Sequence, residues 1–401
     1  MNVVMIGPFA FKPKGTVSAR AFFIAQALAR RGHRVTILMP PYDNLADSGQ
    51  VWEQDGVRLE NMALRRNDLW DQFVVPLRIA RRAAGLEPDV VHVFKPIGYS
   101  GFAGTHLRWF SRRPLVLDTD DWEGTGGWND VNPYPAVWRR VFDWQERWLA
   151  RHADAVTVVS RTLQTQVWGF GVDPGCVVYL PNGPDPGLRN LAEVSEGQRT
   201  QVRAALGIGQ APFALYLGHI PHGTDLDLAL DALARVRDQL PAARLVIAGV
   251  GDGLPVLQAR AQEAGIADRV VFPGWIEHDQ AHVYWSAADA AINPYRDNLI
   301  NRSKCAGKVV LAMAMGKAVV TSRVGENLAY IEDGRSGLLT EPGDTDDLAR
   351  ALLAVLSDRR WAAELGSKAK QRIWARFDWD ARIEKVEGAY QIALKLARGE
   401  N

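Results

Sequence analysis

The stretch VVMIGPFAFKPKGTVSARAFFIAQALARRGHRVTIL (3–38) decides the fold class. It opens on the apolar run VVMIG (3–7) and closes on RVTIL (34–38), each short and bounded by turn residues, as strands are. Between them SARAFFIAQALARRG (18–32) sets Phe22, Ile24, Ala25 and Leu28 on one face at helical spacing, with Gly32 placed to end the helix. Strand, helix and strand in close succession are the repeating unit of a parallel sheet, so the class is α/β.

The alternation continues outward. In the first half DVVHVF (89–94), PLVLDTD (114–120) and DAVTVVS (154–160) read as further strands. The second half repeats the scheme with FALYLG (213–218), ARLVIAG (243–249), RVVFPG (269–274), AAINP (290–294) and KAVVTS (317–322). PNGPDPGLRNLAEVSEGQ (181–198) interrupts both periodicities with Pro, Gly and Asn, which puts a linker there and a boundary near 185–205. The expected architecture is two Rossmann-like domains facing across a cleft, since ligands of open parallel sheets collect at the carboxyl ends of the strands. Beyond Gly343 the chain reads as helical, and KVEGAYQIALKL (385–396) offers Val386, Tyr390, Ile392 and Leu396 as a packed face.

A chain of 401 residues has room for two cores. Its 47% hydrophobic and 23% charged residues exclude a disordered or fibrous chain. A net charge of +1 leaves no global attraction to nucleic acid. Cys176 and Cys305 are too few for a disulfide framework or a four-ligand zinc site and suit a reducing compartment, so the expected location is cytoplasmic. The N-terminus reads as a strand and not as a signal peptide, and no apolar run reaches the length of a membrane-spanning helix.

Several segments carry candidate chemistry. Gly15 and Thr16 stand just before a helix start, where backbone amides can approach an anion, although tight turns use the same residues. GVGDG (249–253) follows a strand, but its glycines alternate and miss the G-x-G-x-x-G spacing of a dinucleotide site.

In order along the chain, GPFAFKPKGT, LARRGHRVTIL, HADAVTVVS, LPNGPD, LYLGHI, LVIAGVGDG, VVFPGW, MAMGKAVVTS and VGENLAYIEDGRSGLL resemble glycosyltransferase family 4, retaining nucleotide-sugar enzymes of GT-B architecture. The resemblance implies an acceptor domain over 1–190, a donor domain over 200–380 and a final helix, 381–401, packing back toward the first domain. It implies transfer of a sugar from a nucleoside-diphosphate sugar to a carbohydrate, lipid-linked or small-molecule acceptor, with no obligatory cofactor or metal. Where the family places Arg and Lys on the diphosphate this chain has His219 and Thr224, and where it places two glutamates it has Ser303 and Leu311. Two other readings fit the same fold: a nucleotide-sugar epimerase, and a silent sugar-binding protein.

Replacement groups stand nearby. Arg302, Lys304 and Lys308 concentrate cations at the expected start of a helix, where a bound phosphate would balance them unless the segment is only a solvated basic turn. Lys308 also resembles a lysine that many family members carry ahead of this helix. Asp297 and Glu326 are the candidates for a replacement carboxylate on the nucleotide ribose, and Gly325 is a further donor-binding candidate. In DTDDWEGTGGWND (118–130), Asp118, Asp120, Asp121 and Glu123 set four carboxylates beside Trp122 and Trp128, a combination suited to a sugar, to turn chemistry or to a metal. His92, at a strand end, could contact the acceptor or polarise the donor sugar, or be a packing residue, and with Asp120 and Asp121 it makes up the expected catalytic set. Nine of fourteen tryptophans fall between Trp52 and Trp168, and VWRRVFDWQERWLAR (137–151) mixes them with arginines, so a peripheral contact with the inner face of a membrane is expected there, set against a half-buried helix with a solvated basic face.

Overall fold

The opening run forms β1 (Asn2–Ile6), and every side chain from Val3 to Ile6 is buried, as a strand covered on both faces requires. The computed structural model describes residues 1–11, 15–42, 44–64, 70–111, 113–277 and 279–400. Seven further strands complete the first sheet: β2 (Arg34–Met39), β3 (Val51–Gln54), β4 (Val57–Asn61), β5 (Val90–Phe94), β6 (Leu115–Thr119), β7 (Ala155–Val158) and β8 (Val177–Tyr179). Their order is β3-β4-β2-β1-β5-β6-β7-β8, and all pairs are parallel except the β3–β4 hairpin. The second sheet holds β9 (Phe213–Leu217), β10 (Arg244–Ala248), β11 (Val270–Gly274), β12 (Ala290–Asn293), β13 (Ala318–Ser322) and β14 (Leu338–Thr340). It is wholly parallel in the order β11-β10-β9-β12-β13-β14, the doubly wound Rossmann order.

The chain divides into two compact units, Met1–Gly183 with Arg302–Cys305 and Asp378–Asn401, and Pro184–Asn301 with Ala306–Phe377. The first carries α1 (Phe22–Arg30), α2 (Asp71–Gly85), α3 (Gly98–Phe110), α4 (Trp128–Val131), α5 (Ala136–His152) and α6 (Arg161–Gly169). The second carries α7 (Glu196–Ala205), α8 (Asp227–Val236), α9 (Leu254–Glu263) and α10 (Ala281–Ala287). There follow α11 (Leu299–Ser303), α12 (Gly307–Ala314), α13 (Asn327–Tyr330), α14 (Thr345–Ser357) and α15 (Arg359–Phe377), then α16 (Trp379–Ala397), which belongs to the first unit.

Local chemistry explains the boundaries. A wide π-type turn over Val17–Ala21 leads into α1. The helix ends on Gly32 at φ 85°, where the Gly32 amide bonds Ala29 O and the His33 amide bonds Leu28 O, a Schellman close that glycine permits. α16 packs on α1 through Trp379 against Phe23 and through the Arg30–Asp380 ion pair. Its Val386 and Tyr390 are fully buried, whereas Leu396, expected on the same face, is exposed in the last turn. Among the described residues no helix is long and apolar enough to cross a membrane.

Candidate functional site

Each sheet reverses its strand order beside its first strand, β1 against β5 and β9 against β12, and doubly wound sheets bind ligands at the carboxyl ends of such a pair. In the first unit this place is formed by the loop after β1 and the residues after β5 and β6. Lys95 follows β5 in a left-handed backbone conformation, φ 64°. Its ammonium donates to Asp121 Oδ2 at 2.7 Å and Glu123 Oε1 at 2.5 Å, and lies 3.2 Å from Asp120 Oδ1. Thr16 Oγ1 donates to Asp120 Oδ2 at 2.6 Å. Thr16, Asp120 and Asp121, each singled out in the sequence, thus meet around a lysine that sequence reasoning passed over.

Three other expectations change. Asp118 leaves the carboxylate cluster, because its two oxygens accept from Arg20 Nε at 2.8 Å and Nη2 at 2.7 Å, with Thr157 Oγ1 donating as well. The Gly15 amide donates to Ser18 Oγ at 3.0 Å, so it closes a turn and is not open to an anion. His92 is fully buried, with Nδ1 3.0 Å from the Tyr390 hydroxyl and Nε2 3.3 Å from Thr157 Oγ1. Burial, helped by the Arg20 charge, pushes its pKa down to about 3. A neutral histidine engaged on both nitrogens is a packing group, and it leaves the catalytic set.

The Asp120, Asp121 and Glu123 oxygens lie within 4.8 Å of one another, close enough to hold a metal. The Lys95 ammonium already supplies a cation there: burial lowers its pKa, but the three carboxylates outweigh that and hold it well above the ordinary value. Trp122 donates its indole N–H to Thr125 O at 2.9 Å, which ties the following residues into a turn. Glu146 accepts from the Glu123 and Gly124 amides at 2.8 and 3.1 Å. Burial raises both Glu123 and Glu146 to about 7.

A raised carboxyl pKa means that the folded state holds its proton more tightly than the unfolded chain. The associated stability is present below pH 4.5 and is lost as pH rises toward 7. Glu146→Gln removes that loss, so the variant should gain on the wild type by on the order of 3 kcal/mol between pH 5 and pH 8. Melting temperatures of both proteins at the two pH values test this, because the His92 contribution, of opposite sign, is common to both. An unchanged gap would show that Glu146 ionises normally.

In the second unit the switch point lies after β9. Gly218, at φ 152°, is crossed by the Lys308 side chain, whose Cε is 2.3 Å from where a Cβ would stand. Lys308 Nζ lies 5.4 Å from the centroid of the Tyr216 ring, and the Tyr216 hydroxyl donates to His219 O at 2.7 Å. The GVGDG glycines pack flat on this loop. A Cβ on Gly249 would come within 1.9 Å of Gly218 O, and one on Gly251 within 2.1 Å of Ile220 O and 2.9 Å of His219 Cε1. Their alternation is therefore a demand for close backbone approach, which leaves the His219 side chain exposed at the loop's tip. Beside the switch, Thr321 Oγ1 donates to Asn293 O and Asn327 Nδ2 donates to Thr321 Oγ1, joining the ends of β12 and β13. Glu326 is buried just beyond, after Gly325 at φ 52°, while Asp297 is exposed.

The three cations do not share a helix start. Arg302 lies in the last turn of α11, Lys304 follows that helix, and only Lys308 stands in the first turn of α12. Arg302 and Lys304 group with the first unit and Lys308 with the second. Ser303 is fully buried.

Two parallel α/β units, each with polar groups gathered at its switch point, define the GT-B class. Residues 15–183 match the glycosyl transferase 4-like domain and residues 211–358 the glycosyl transferases group 1. The chain belongs to the family 4 glycosyltransferases and is a glycosyltransferase. An uncharacterized glycosyltransferase of Methanocaldococcus jannaschii is 24% identical over 99% of both chains. The GDP-mannose-dependent alpha-(1-6)-phosphatidylinositol monomannoside mannosyltransferase of Mycobacterium tuberculosis is 26% identical over 262 residues, 65% of either chain, so the likeness stops short of two thirds of that enzyme. The crystal structure of Anabaena Alr3699/HepE in complex with UDP and glucose shares the fold with a TM-score of 0.73, at 20% identity over 99% of this chain and 100% of that one.

Proposed function

We propose that the chain is a retaining glycosyltransferase moving a sugar from a nucleoside-diphosphate sugar, bound by the second unit, to a hydroxyl of an acceptor bound by the first. The observation that carries the reading is the Lys308 side chain laid across Gly218 at the switch point of the second sheet. A cation there is suited to a diphosphate, and the Anabaena protein, of the same fold, was crystallised with UDP and glucose. Arg302 and Lys304, expected on the same diphosphate in place of the absent Arg and Lys, group with the first unit and stay outside this donor set. Gly325 and buried Glu326 are assigned to the nucleotide ribose. His219, at the tip of the glycine-packed loop, is assigned to the donor sugar.

In the first unit, Asp120 and Asp121 accept hydrogen bonds from acceptor hydroxyls, with Thr16 and Lys95 holding the carboxylates in place. A carbohydrate or lipid-linked acceptor fits this arrangement. In the transfer, the bond from the anomeric carbon to the phosphate oxygen breaks and the acceptor oxygen bonds to that carbon on the same face. The hydroxyl proton passes to the departing phosphate oxygen. Lys308 offsets the charge that grows on the diphosphate, which is the largest contribution a side chain makes in such a step. We place the reaction in the cytoplasm, where the free Cys176 and Cys305 stay reduced.

The test is incubation with UDP-, GDP-, ADP- and dTDP-sugars together with glycan and lipid acceptors. Release of nucleoside diphosphate with a product of unchanged anomeric configuration is the expected result. An altered sugar on an intact nucleotide would make the protein an epimerase. Absence of turnover, together with no thermal shift where a donor at a hundred times its Kd should add about 2.7 kcal/mol, would make it a silent fold.

A further inference from the structure

We propose that the outer face of the first unit, built from α2, α3 and α5, docks on an anionic lipid surface. The sequence marked one helix; the structure shows three helices whose aromatic residues join. Phe73 of α2 lies 6.2 Å from both Phe102 of α3 and Trp138 of α5. Trp109 of α3 lies 6.4 Å from Trp144 and 5.6 Å from Trp148 of α5. The patch is open to solvent: Phe110 is 75% exposed, Val137 64%, Trp109 59%, Phe73 54% and Trp144 42%. Scattered apolar residues are ordinary on a surface, whereas a joined patch of rings marks an interaction site.

The charge on the same helices selects the partner. Arg78 and Arg81 on α2 and Arg139, Arg140 and Arg147 on α5 are exposed. Of the acids on these three helices, only Asp143 meets one of these arginines, Arg147. Asp71 and Glu146 are buried, and Asp143 accepts from the Thr125 amide and pairs with Arg147. Glu146, raised to about 7, is largely uncharged in mildly acidic solution. Tryptophan and phenylalanine interleaved with exposed arginines that outnumber the acids beside them fit a bilayer interface, where rings enter the headgroup layer and guanidinium groups meet lipid phosphates. This inference stands apart from the proposed reaction, and its test reads binding alone.

The full chain is sedimented with vesicles of phosphatidylcholine alone and of phosphatidylcholine with phosphatidylglycerol, at low and high salt. Binding to the anionic vesicles only, weakened by salt, is expected. Arg140→Ser should lower the partition about fivefold, the equivalent of about 1 kcal/mol for one basic residue near the surface. Brominated acyl chains should quench tryptophan fluorescence, and Trp109→Phe with Trp144→Phe should remove most of that quenching. Trp275→Ser, at a 60% exposed position of the second unit, is the control and should change nothing. All these positions are exposed, so the variants should keep the wild-type melting temperature. Protein left in the supernatant with both vesicles would overturn the proposal, and so would binding that Arg140→Ser leaves intact or quenching that Trp109→Phe with Trp144→Phe leaves intact. A dimer in light scattering that Trp109→Ser disperses would instead assign the face to a second copy of the chain.

Discussion

Asp118→Ala should destabilise the first unit by about 3–5 kcal/mol, the largest stability loss expected of any single replacement near the site. Arg20 is 1% exposed and rises inside the unit to meet Asp118, which is fully buried. The pair is bidentate, and the spare guanidinium nitrogen donates to Asn182 Oδ1 at 2.8 Å, so every charged atom is engaged. Burial disfavours the Arg20 charge, but Asp118 more than compensates and keeps its pKa above the ordinary value. Without the carboxylate the arginine cannot shed its proton and remains as an unpaired charge in the core. The double variant Arg20→Met with Asp118→Leu should recover much of the loss, since two apolar groups need no partner. Urea unfolding of the three proteins measures this, urea being preferred because an ionic denaturant would screen the pair. Stability of Asp118→Ala within about 1 kcal/mol of wild type would show that water or a neighbour takes over the Arg20 charge.

How far the sequence reached depends on how far apart the deciding residues lie. Strands with long apolar runs, such as β1, β5 and β9, stand within a residue or two of where the sequence put them, because burial on both faces leaves an unbroken signal. The β3–β4 hairpin was missed. Its outer strand Val51–Gln54 is largely exposed and carries no run, although Asp55 and Gly56, at φ 51° and 77°, hold the primed turn that the Asp-Gly pair favours. β8 and β14, of three residues each, are too short to show a period.

At the candidate site, Asp120 and Asp121 were legible as acids at a strand end. Lys95 was not, because a single lysine after a strand reads as a solvated charge until the sheet brings β5 beside β6. His92 was misjudged for the same reason in reverse: Tyr390, which occupies one ring nitrogen, comes from α16, 298 positions along the chain. The alternating glycines of GVGDG read as an incomplete nucleotide fingerprint, and only the neighbouring loop, with its carbonyls where the Cβ atoms would be, explains them.

Lys308→Ala should weaken nucleotide-sugar binding by about one to two orders of magnitude, the range that a charge-assisted contact worth roughly 1.5 to 3 kcal/mol predicts. A diphosphate brings negative charge to the switch point of the second sheet and needs cationic or amide donors there. The side chain that crosses Gly218 is an ammonium, anchored by the first turn of α12 and stacked toward the neutral Tyr216 ring. Because Lys308 is only half-buried and its helix is held by Val309, Val310 and Met313 in the core, the variant should fold as the wild type does. Gly218→Ala provides the complementary test. A methyl group there must displace the lysine stem that now lies 2.3 Å away, so it should weaken donor binding while leaving the charge count unchanged. Calorimetric titration of each donor into the three proteins decides the matter. If Lys308→Ala and Gly218→Ala both bind the preferred donor as tightly as the wild type, the diphosphate does not lie at the end of β9. Loss in Lys308→Ala alone would mean that the ammonium reaches the phosphate without needing the path over Gly218.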